Sequence, residues 1–346
     1  MKLLIATQTV DKDDNILGFF HDWIEEFAKH AERVHVICLF EGKHELPENV
    51  RVHSLGKERG NTRWDYLRLF YTYVWRLRGE YDSVFVHMNQ IYVILGGLLW
   101  RIWKKKIGLW YTHKQVTLSL RIATFLTNIV FTASEESFRI RSKKKKVVGH
   151  GINADLFSCS MGSLHDPIRI LHMGRITPIK NCDTLITMVS VLGNAYGRKV
   201  HLTFAGAPVT NDDKNYLADL RIQVGELGLQ SAVFFVGAPI FTDVPSVFCD
   251  ADIVVNAAPT GGVDKAPLSA ILSKRPVVVS NRAYQRIFGT YAHQCIAEYR
   301  DPDDFSQKIE GVITMHDRER MLTDLDNFVR RNYSLEKLVQ TISHTL

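Results

Sequence analysis

The chain has 346 residues, 46% hydrophobic and 23% charged. This excludes a disordered tail or one small core and suits two globular domains. With 43 Lys and Arg against 37 Asp and Glu the net charge is +6, a mild surplus clustered in Lys104–Lys106 and Lys143–Lys146. Such runs read as solvated faces, or as contacts to an anionic membrane or a nucleic-acid backbone. Aromatic-interleaved nucleic-acid motifs are missing, so membrane ranks above nucleic acid and no nucleic-acid partner is expected.

In chain order, Leu3 to Ala6 reads as a central strand following directly on the first residues, and the acidic loop after it argues against a signal peptide. A polar loop leads to Gly18, which opens a helix carrying Phe19, Phe20, Trp23, Ile24 and Phe27 at helical spacing. Val34 to Phe40 and Val50 to Leu55 are strands. Trp64 to Leu77 is an aromatic helix whose Leu67, Phe70, Tyr71 and Val74 are expected in the core. Ser83 to His87 is a buried strand. The apolar helix Ile91 to Trp103 is too short to span a bilayer. Ile107 to Thr112 is a strand ending at His113, Leu118 to Thr127 a helix, Ile129 to Thr132 a strand, and Val147-Val148 a short last one.

A second alternating unit starts at Ile168, with strands at Val200 to Ala205, Val233 to Val236, Ile253 to Val255 and Pro276 to Val279. Its helices are Thr184 to Leu192, Asp213 to Leu227, Leu268 to Leu272, Phe305 to Met315, Arg318 to Val329 and Leu335 to Leu346. Buried strands alternating with helices predict an α/β fold of two doubly wound parallel sheets, with a boundary near residues 153–166. In such sheets ligands sit beyond the carboxyl ends of the strands, which singles out the loops after Ala6, His87 and Thr112. The five cysteines (Cys38, Cys159, Cys182, Cys249, Cys295) show no C-x-x-C spacing. They are expected to be buried free thiols in a reducing compartment, with neither zinc site nor disulfide.

Ile168 to Asp183 carries the chemistry. An apolar strand closes on Gly174-Arg175, a turn follows, and Lys180 stands just before a helix. A glycine for close backbone approach, a planar cationic fork and a point charge fit a doubly negative group such as a diphosphate.

Further motifs follow in order: HGIN at 150–153, GRITPIK at 174–180, FAG at 204–206, FVGA at 235–238, DADIVVN at 250–256 and TGGVDKAPLSAILSKRPVV at 260–278. With RNYSLEKLV at 331–339 at the end, this order and spacing resemble the family 4 retaining glycosyltransferases of the GT-B fold, over essentially the whole chain. The resemblance implies two Rossmann-like domains facing a cleft. The first, acceptor-side domain would span 1–157, the nucleotide-sugar domain 158–328, and a C-terminal helix, 329–346, would cross back to the first. It implies transfer of a sugar from a UDP- or GDP-type donor to a hydroxyl acceptor with configuration retained. No other cofactor is implied. The donor is the co-substrate, and the acceptor a glycan or lipid-linked glycan.

In that family the arginine and lysine of G-R-x(4)-K grip the diphosphate, which carries over to Arg175 and Lys180 beside Gly174. Charge grows on the leaving diphosphate, so two fixed cations can do what a divalent metal does elsewhere. No metal-binding D-x-D motif follows a strand, so no metal site is expected. Gly261 and Gly262 match the loop whose amides meet the donor at a helix N-terminus. Gly237 lies in the stretch whose backbone meets the base, and Gly18 resembles the first-domain glycine near the donor phosphate. His113 stands where the family often carries a histidine facing the cleft, with His87 a weaker candidate and His150 a structural residue.

The E-x(7)-E signature of the family would fall on Gly261 and Ser269. Ser269 can still meet a ribose hydroxyl, while Asp264 offers a carboxylate to the sugar and Lys265 a further cation to the phosphates. The departure leaves open a catalytically impaired GT-B relative that binds a nucleotide or glycan, and, less favoured, a nucleotide-sugar epimerase. The apolar helix at 91–103 with Lys104–Lys106 fits a core helix before a solvated loop, or a membrane-near acceptor. The expected location is the cytoplasm, with peripheral contact at the inner face of the membrane.

Overall fold

The computed structural model describes residues 1–113 and 115–346. It divides into one unit of Met1–Asn153, Ile240–Thr242 and Tyr333–Leu346, and a second of Ala154–Pro239 and Asp243–Asn332.

The first unit runs β1 (Lys2–Val10), α1 (Phe19–His30), β2 (Arg33–Glu41), β3 (Val50–Ser54), α2 (Arg63–Arg76), β4 (Ser83–His87), α3 (Ile91–Ile102), β5 (Lys106–Trp110), α4 (Leu118–Leu126), β6 (Ile129–Thr132) and β7 (Lys145–Val147). The strands pair in the order β3-β2-β1-β4-β5-β6-β7, all parallel. Leu3, Leu4, Ile5 and Ala6 are fully buried, as a strand covered on both faces requires. The last strand starts at Lys145 and not, as the apolar pattern predicts, at Val147. An edge strand needs only backbone partners on one side, and Val130 pairs with Lys145.

The helices α2, α3 and α4 share one core, with Phe70, Val74, Tyr92, Trp100, Leu120 and Leu126 buried together. The expectation that the aromatics of α2 are core holds for Phe70 but fails for Tyr71, which is 41% exposed. Trp64 and Trp75 face outward with it. The aspartate of a Thr62–Asp65 capping box starts this helix.

The second unit runs β8 (Ile168–Met173), α5 (Cys182–Tyr196), β9 (Val200–Ala205), α6 (Asn211–Glu226), β10 (Val233–Gly237), α7 (Val244–Cys249), β11 (Ile253–Asn256), α8 (Lys265–Leu272), β12 (Val277–Val279), two single-turn helices α9 (Gln285–Phe288) and α10 (Ala292–Cys295), then α11 (Pro302–Ile313) and α12 (Arg318–Tyr333). Its sheet has the order β10-β9-β8-β11-β12, again all parallel. The sequence reading missed α7, α9 and α10, which are too short to show a helical period.

Helix α13 (Leu335–Thr345) packs on the first unit beside α1. Leu335, Leu338, Val339 and Ile342 are buried with Phe20, Trp23 and Phe27. Each such side chain contributes on the order of 1.5–3 kcal/mol. The Ser83 hydroxyl donates to the Leu346 carbonyl at 2.9 Å.

The expectation of free cysteines is also overturned. Cys159 and Cys249 form a disulfide, their Cα atoms 5.5 Å apart, and only Cys38, Cys182 and Cys295 are free and buried. The two partners lie 90 residues apart, so no local spacing announces them. Among the described residues no helix is long and apolar enough to cross a membrane.

Candidate functional site

The strand order of the second sheet reverses between β8 and β11. The crevice beyond the carboxyl ends of these strands is where an open α/β sheet offers ligand space. Gly174 follows β8, Gly206 follows β9, Gly237 ends β10, Asn256 ends β11 and Asn281 lies just past β12. Gly174 has φ +152°, open to glycine alone, and its N–H donates to the Ala205 carbonyl at 3.0 Å. A Cβ on Gly206 would stand 1.8 Å from the Gly174 carbonyl oxygen. The two loops therefore meet backbone to backbone. Gly237 (φ +81°) bridges to Gly206 from the other side.

This seating fixes the turn that carries the cations. Arg175 is exposed and makes no ion pair among the described residues. The hydroxyl of Thr177 bonds to the carboxylate of Asp213, which also accepts from the Thr210 and Val209 amides. Those bonds, Thr177 foremost, hold Asp213 down to about 2. Pro178–Lys180 form a 3-10 turn. The Lys180 ammonium lies 2.5 Å from Oδ2 of Asp264. The same oxygen accepts from Asn256 Nδ2 at 3.1 Å, and the Asp264 carbonyl accepts from the Tyr284 hydroxyl at 2.7 Å. The structure thus brings Lys180 and Asp264 together across 84 residues of chain.

Asn181 follows in the left-handed region (φ 46°), a conformation asparagine tolerates better than most residues. It is fully buried. Its amide donates to the Ala257 carbonyl at 2.8 Å, and its oxygen accepts from Arg300 Nε at 2.8 Å. It pins the start of α5 to the end of β11. Sequence reasoning missed Asn181, Asn256 and Tyr284. An asparagine directly before a helix is the one local signal that marks the first.

Beneath the turn lies His172, fully buried on β8. Its Nδ1 is 3.2 Å from the Val255 carbonyl, so the proton sits there and Nε2 is an acceptor. That Nε2 is buried without a hydrogen-bond partner among the described residues, and a Cβ on Gly174 would be 3.7 Å from it. Burial first, and the Lys180 charge second, push His172 down to about 4. It is neutral at pH 7. The site as a whole combines an exposed guanidinium, a half-buried ammonium closed on a carboxylate, and a neutral imidazole under a glycine. It is suited to a compact polyanion.

Residues 167–315 match the family model described as Glycosyl transferases group 1. This stretch resembles the group 1 glycosyltransferases. A 136-residue stretch is 27% identical to mannosylfructose-phosphate synthase of Agrobacterium fabrum, covering 39% of this chain and 30% of that relative's length. Among solved structures, HepE of Anabaena in complex with UDP superposes at TM-score 0.77 with 17% identity, covering 100% of this chain and 99% of the other. Sucrose-phosphate synthase of Thermosynechococcus elongatus does so at TM-score 0.77 with 13% identity, covering 99% and 98%. These likenesses give both units the Rossmann-like architecture of the GT-B fold.

In the matched stretch Gly261 is buried, and its amide donates to Asn281 Oδ1 at 3.2 Å, while Gly262 offers its carbonyl to Asn281 Nδ2 at 3.0 Å. Asn281 thus holds the Gly261–Gly262 turn through both its amide atoms. Helix α8 begins at Lys265, three residues earlier than the apolar pattern indicates, and Lys265 is half-buried in its first turn. Ser269 is buried within α8, 6% exposed.

In the first unit, Gly18 stands at the start of α1, where a Cβ would come within 2.6 Å of the Asp14 carbonyl oxygen. His113 is exposed beyond β5, in edge contact with Tyr111. Its neighbour Lys114 lies outside the described residues. His87 is a core residue and not a ligand-facing one, buried and stacked 3.8 Å from Phe20. His150 is also buried. Where no metal cluster was expected, His21, Asp22 and Glu25 bring ligand atoms within 4.8 Å of one another. Hydrogen bonds already occupy two of them: His21 Nε2 accepts from the Glu45 amide and Asp22 from Asn153.

Proposed function

We propose that the protein is a retaining glycosyltransferase that moves a sugar from a nucleoside-diphosphate sugar to a hydroxyl acceptor, a glycan or lipid-linked glycan. The observation that carries this is the pair Arg175 and Lys180, seated on a glycine-only turn at the switch point of the second sheet. We assign the donor to residues 158–328 and the acceptor to 1–157, with 329–346 joining the first domain. HepE was solved with UDP and with UDP-glucose, which favours a uridine donor for first trial over a guanosine one.

In the reaction the bond from the anomeric carbon to the β-phosphate oxygen breaks, and the acceptor oxygen bonds to the same face of that carbon. The acceptor proton passes to the departing diphosphate. Charge develops on the leaving oxygen, where Arg175 and Lys180 stabilise it without a metal. Asp264 is released from Lys180 as the diphosphate arrives, and its carboxylate becomes available to the sugar hydroxyls. Gly174, Gly237 and Gly262 offer close backbone approach, Lys265 a second-rank cation, and Gly18 and His113 the first-domain contacts. We place the enzyme in the cytoplasm, at the inner face of the membrane.

Gly261 and Ser269, standing where the family carries glutamates, favour one rival: a donor-binding relative without turnover. The test is a product analysis. The protein is incubated with UDP-glucose and other nucleotide-sugars, an acceptor panel and a chelator, and the product anomer is read by NMR. An α-linked product from an α-linked donor supports the proposal. An inverted product, or chelator-abolished transfer, contradicts it.

A further inference from the structure

We propose that the outward face of α2, α3 and α4 is a docking surface for an anionic lipid bilayer. The three helices cover the same side of the first sheet and share one core. Each also carries large apolar side chains on its opposite, outward stripe. On α2 these are Trp64, Tyr71 and Trp75, with Trp64 81% exposed. On α3 they are Ile91, Leu98 and Ile102, the last 72% exposed. On α4 they are Leu118, Ile122 and Phe125, the last 77% exposed. Spacings of 7 and 4, 7 and 4, and 4 and 3 residues place each trio on one helical face.

The stripes are contiguous. The Tyr71 hydroxyl donates to the Leu95 carbonyl at 3.2 Å, the rings of Trp75 and Trp103 are 5.6 Å apart, and Arg101 Nη1 donates to the Leu126 carbonyl at 3.2 Å. A sheet-covering helix gains nothing for the fold from an apolar outer stripe. Three adjacent ones make a patch of the kind that marks an interaction site.

Charge selects the occupant. The three helices carry Arg63, Arg68, Arg76, Arg101 and Arg121, all exposed. Their one carboxylate, Asp65, is tied into the capping box with Thr62. Beyond the helix ends, Arg78 and Lys104 are exposed. The Lys144 ammonium donates to the Thr124, Phe125 and Thr127 carbonyls, which anchors the 143–146 run at the end of α4. Tryptophans and aliphatics fringed by cations suit the headgroup boundary of an anionic membrane. Two copies of this chain would instead oppose arginine to arginine.

This gives a location to the membrane contact proposed above, and it does not rest on donor chemistry. The test is flotation of the full chain, without nucleotide, on phosphatidylcholine vesicles with and without phosphatidylglycerol. Binding at least tenfold stronger on the anionic vesicles is expected. Ile102→Gln with Phe125→Gln should abolish it, and Arg76→Gln should weaken it about fivefold. All of these positions are solvent-facing, and circular dichroism verifies that the variants fold. Equal binding by the folded variants, no preference for anionic vesicles, or no vesicle binding overturns the proposal. So does a dimer in solution that the glutamine variants dissociate, since a second copy then owns the face.

Discussion

Replacing Asp264 by asparagine should tighten nucleoside-diphosphate binding. Asp264 neutralises Lys180 at 2.5 Å, with side chains 34% and 16% exposed. A diphosphate reaching Lys180 must break this pair and then lie near the displaced carboxylate. A like charge about 5 Å from a phosphate oxygen costs roughly 2–3 kcal/mol at an effective dielectric of about 20–40. Asparagine removes that repulsion and the competing pair, and its oxygen can still accept from Asn256. Part of the gain is lost because Lys180 is less well oriented, which leaves about 1.4 kcal/mol, or tenfold. Calorimetric titration of UDP into wild type and variant near neutral pH measures it. The variant should melt earlier, since a half-buried ammonium loses its partner at a cost of about 1–3 kcal/mol. If Asp264 also serves the sugar, turnover falls while affinity rises. Unchanged or weaker UDP affinity in a folded variant would refute the reasoning, because Asp264 would then not be competing for Lys180.

Gly206→Ala puts a Cβ 1.8 Å from the Gly174 carbonyl oxygen and must move the Arg175 turn. Displacements of about 1 Å cost on the order of 100-fold, so UDP affinity or kcat/KM should fall by that order. Gly237→Ala, with no atom within 4 Å of its Cβ but φ +81°, costs only about 1 kcal/mol of strain. The fully buried His172 has a folded pKa of about 4, below its ordinary 6.5. The unfolded chain therefore takes up the proton first. Stability should fall as pH drops from 6.5 to about 4, by up to about 3 kcal/mol. Urea titrations across that range should show a flatter profile for His172→Phe. Finally, Cys159→Ser with Cys249→Ser removes a cross-link across 90 residues. By loop entropy that costs about 4–5 kcal/mol, read as a lower melting temperature in the absence of reductant. Dithiothreitol should not lower it further.

Much of the fold was legible because parallel strands buried on both faces read as unbroken apolar runs. Leu3 to Ala6 and Ile253 to Val255 needed no tertiary information. Gly174 stood out because a strand closing on Gly-Arg before a helix is a local pattern. The grip of Asp264 on Lys180 was not legible, since it depends on how β8 and β11 sit side by side. Nothing in either segment names the other. The same holds for the disulfide, and for the left-handed Asn181 held by Arg300 from far along the chain. The exposed stripes failed to show for another reason. Apolar residues on a sheet-covering helix look alike from sequence whether they face the sheet or the solvent. Phe70 and Tyr71 are neighbours with opposite fates.

The most direct test of the account measures nucleoside diphosphate released from UDP- and GDP-sugars by wild type, Arg175→Ala and Lys180→Ala. If both side chains grip the leaving group as proposed, wild type should release one diphosphate and each variant should lose about 100-fold or more in rate. Release that survives in both folded variants would contradict the diphosphate site at Gly174–Lys180.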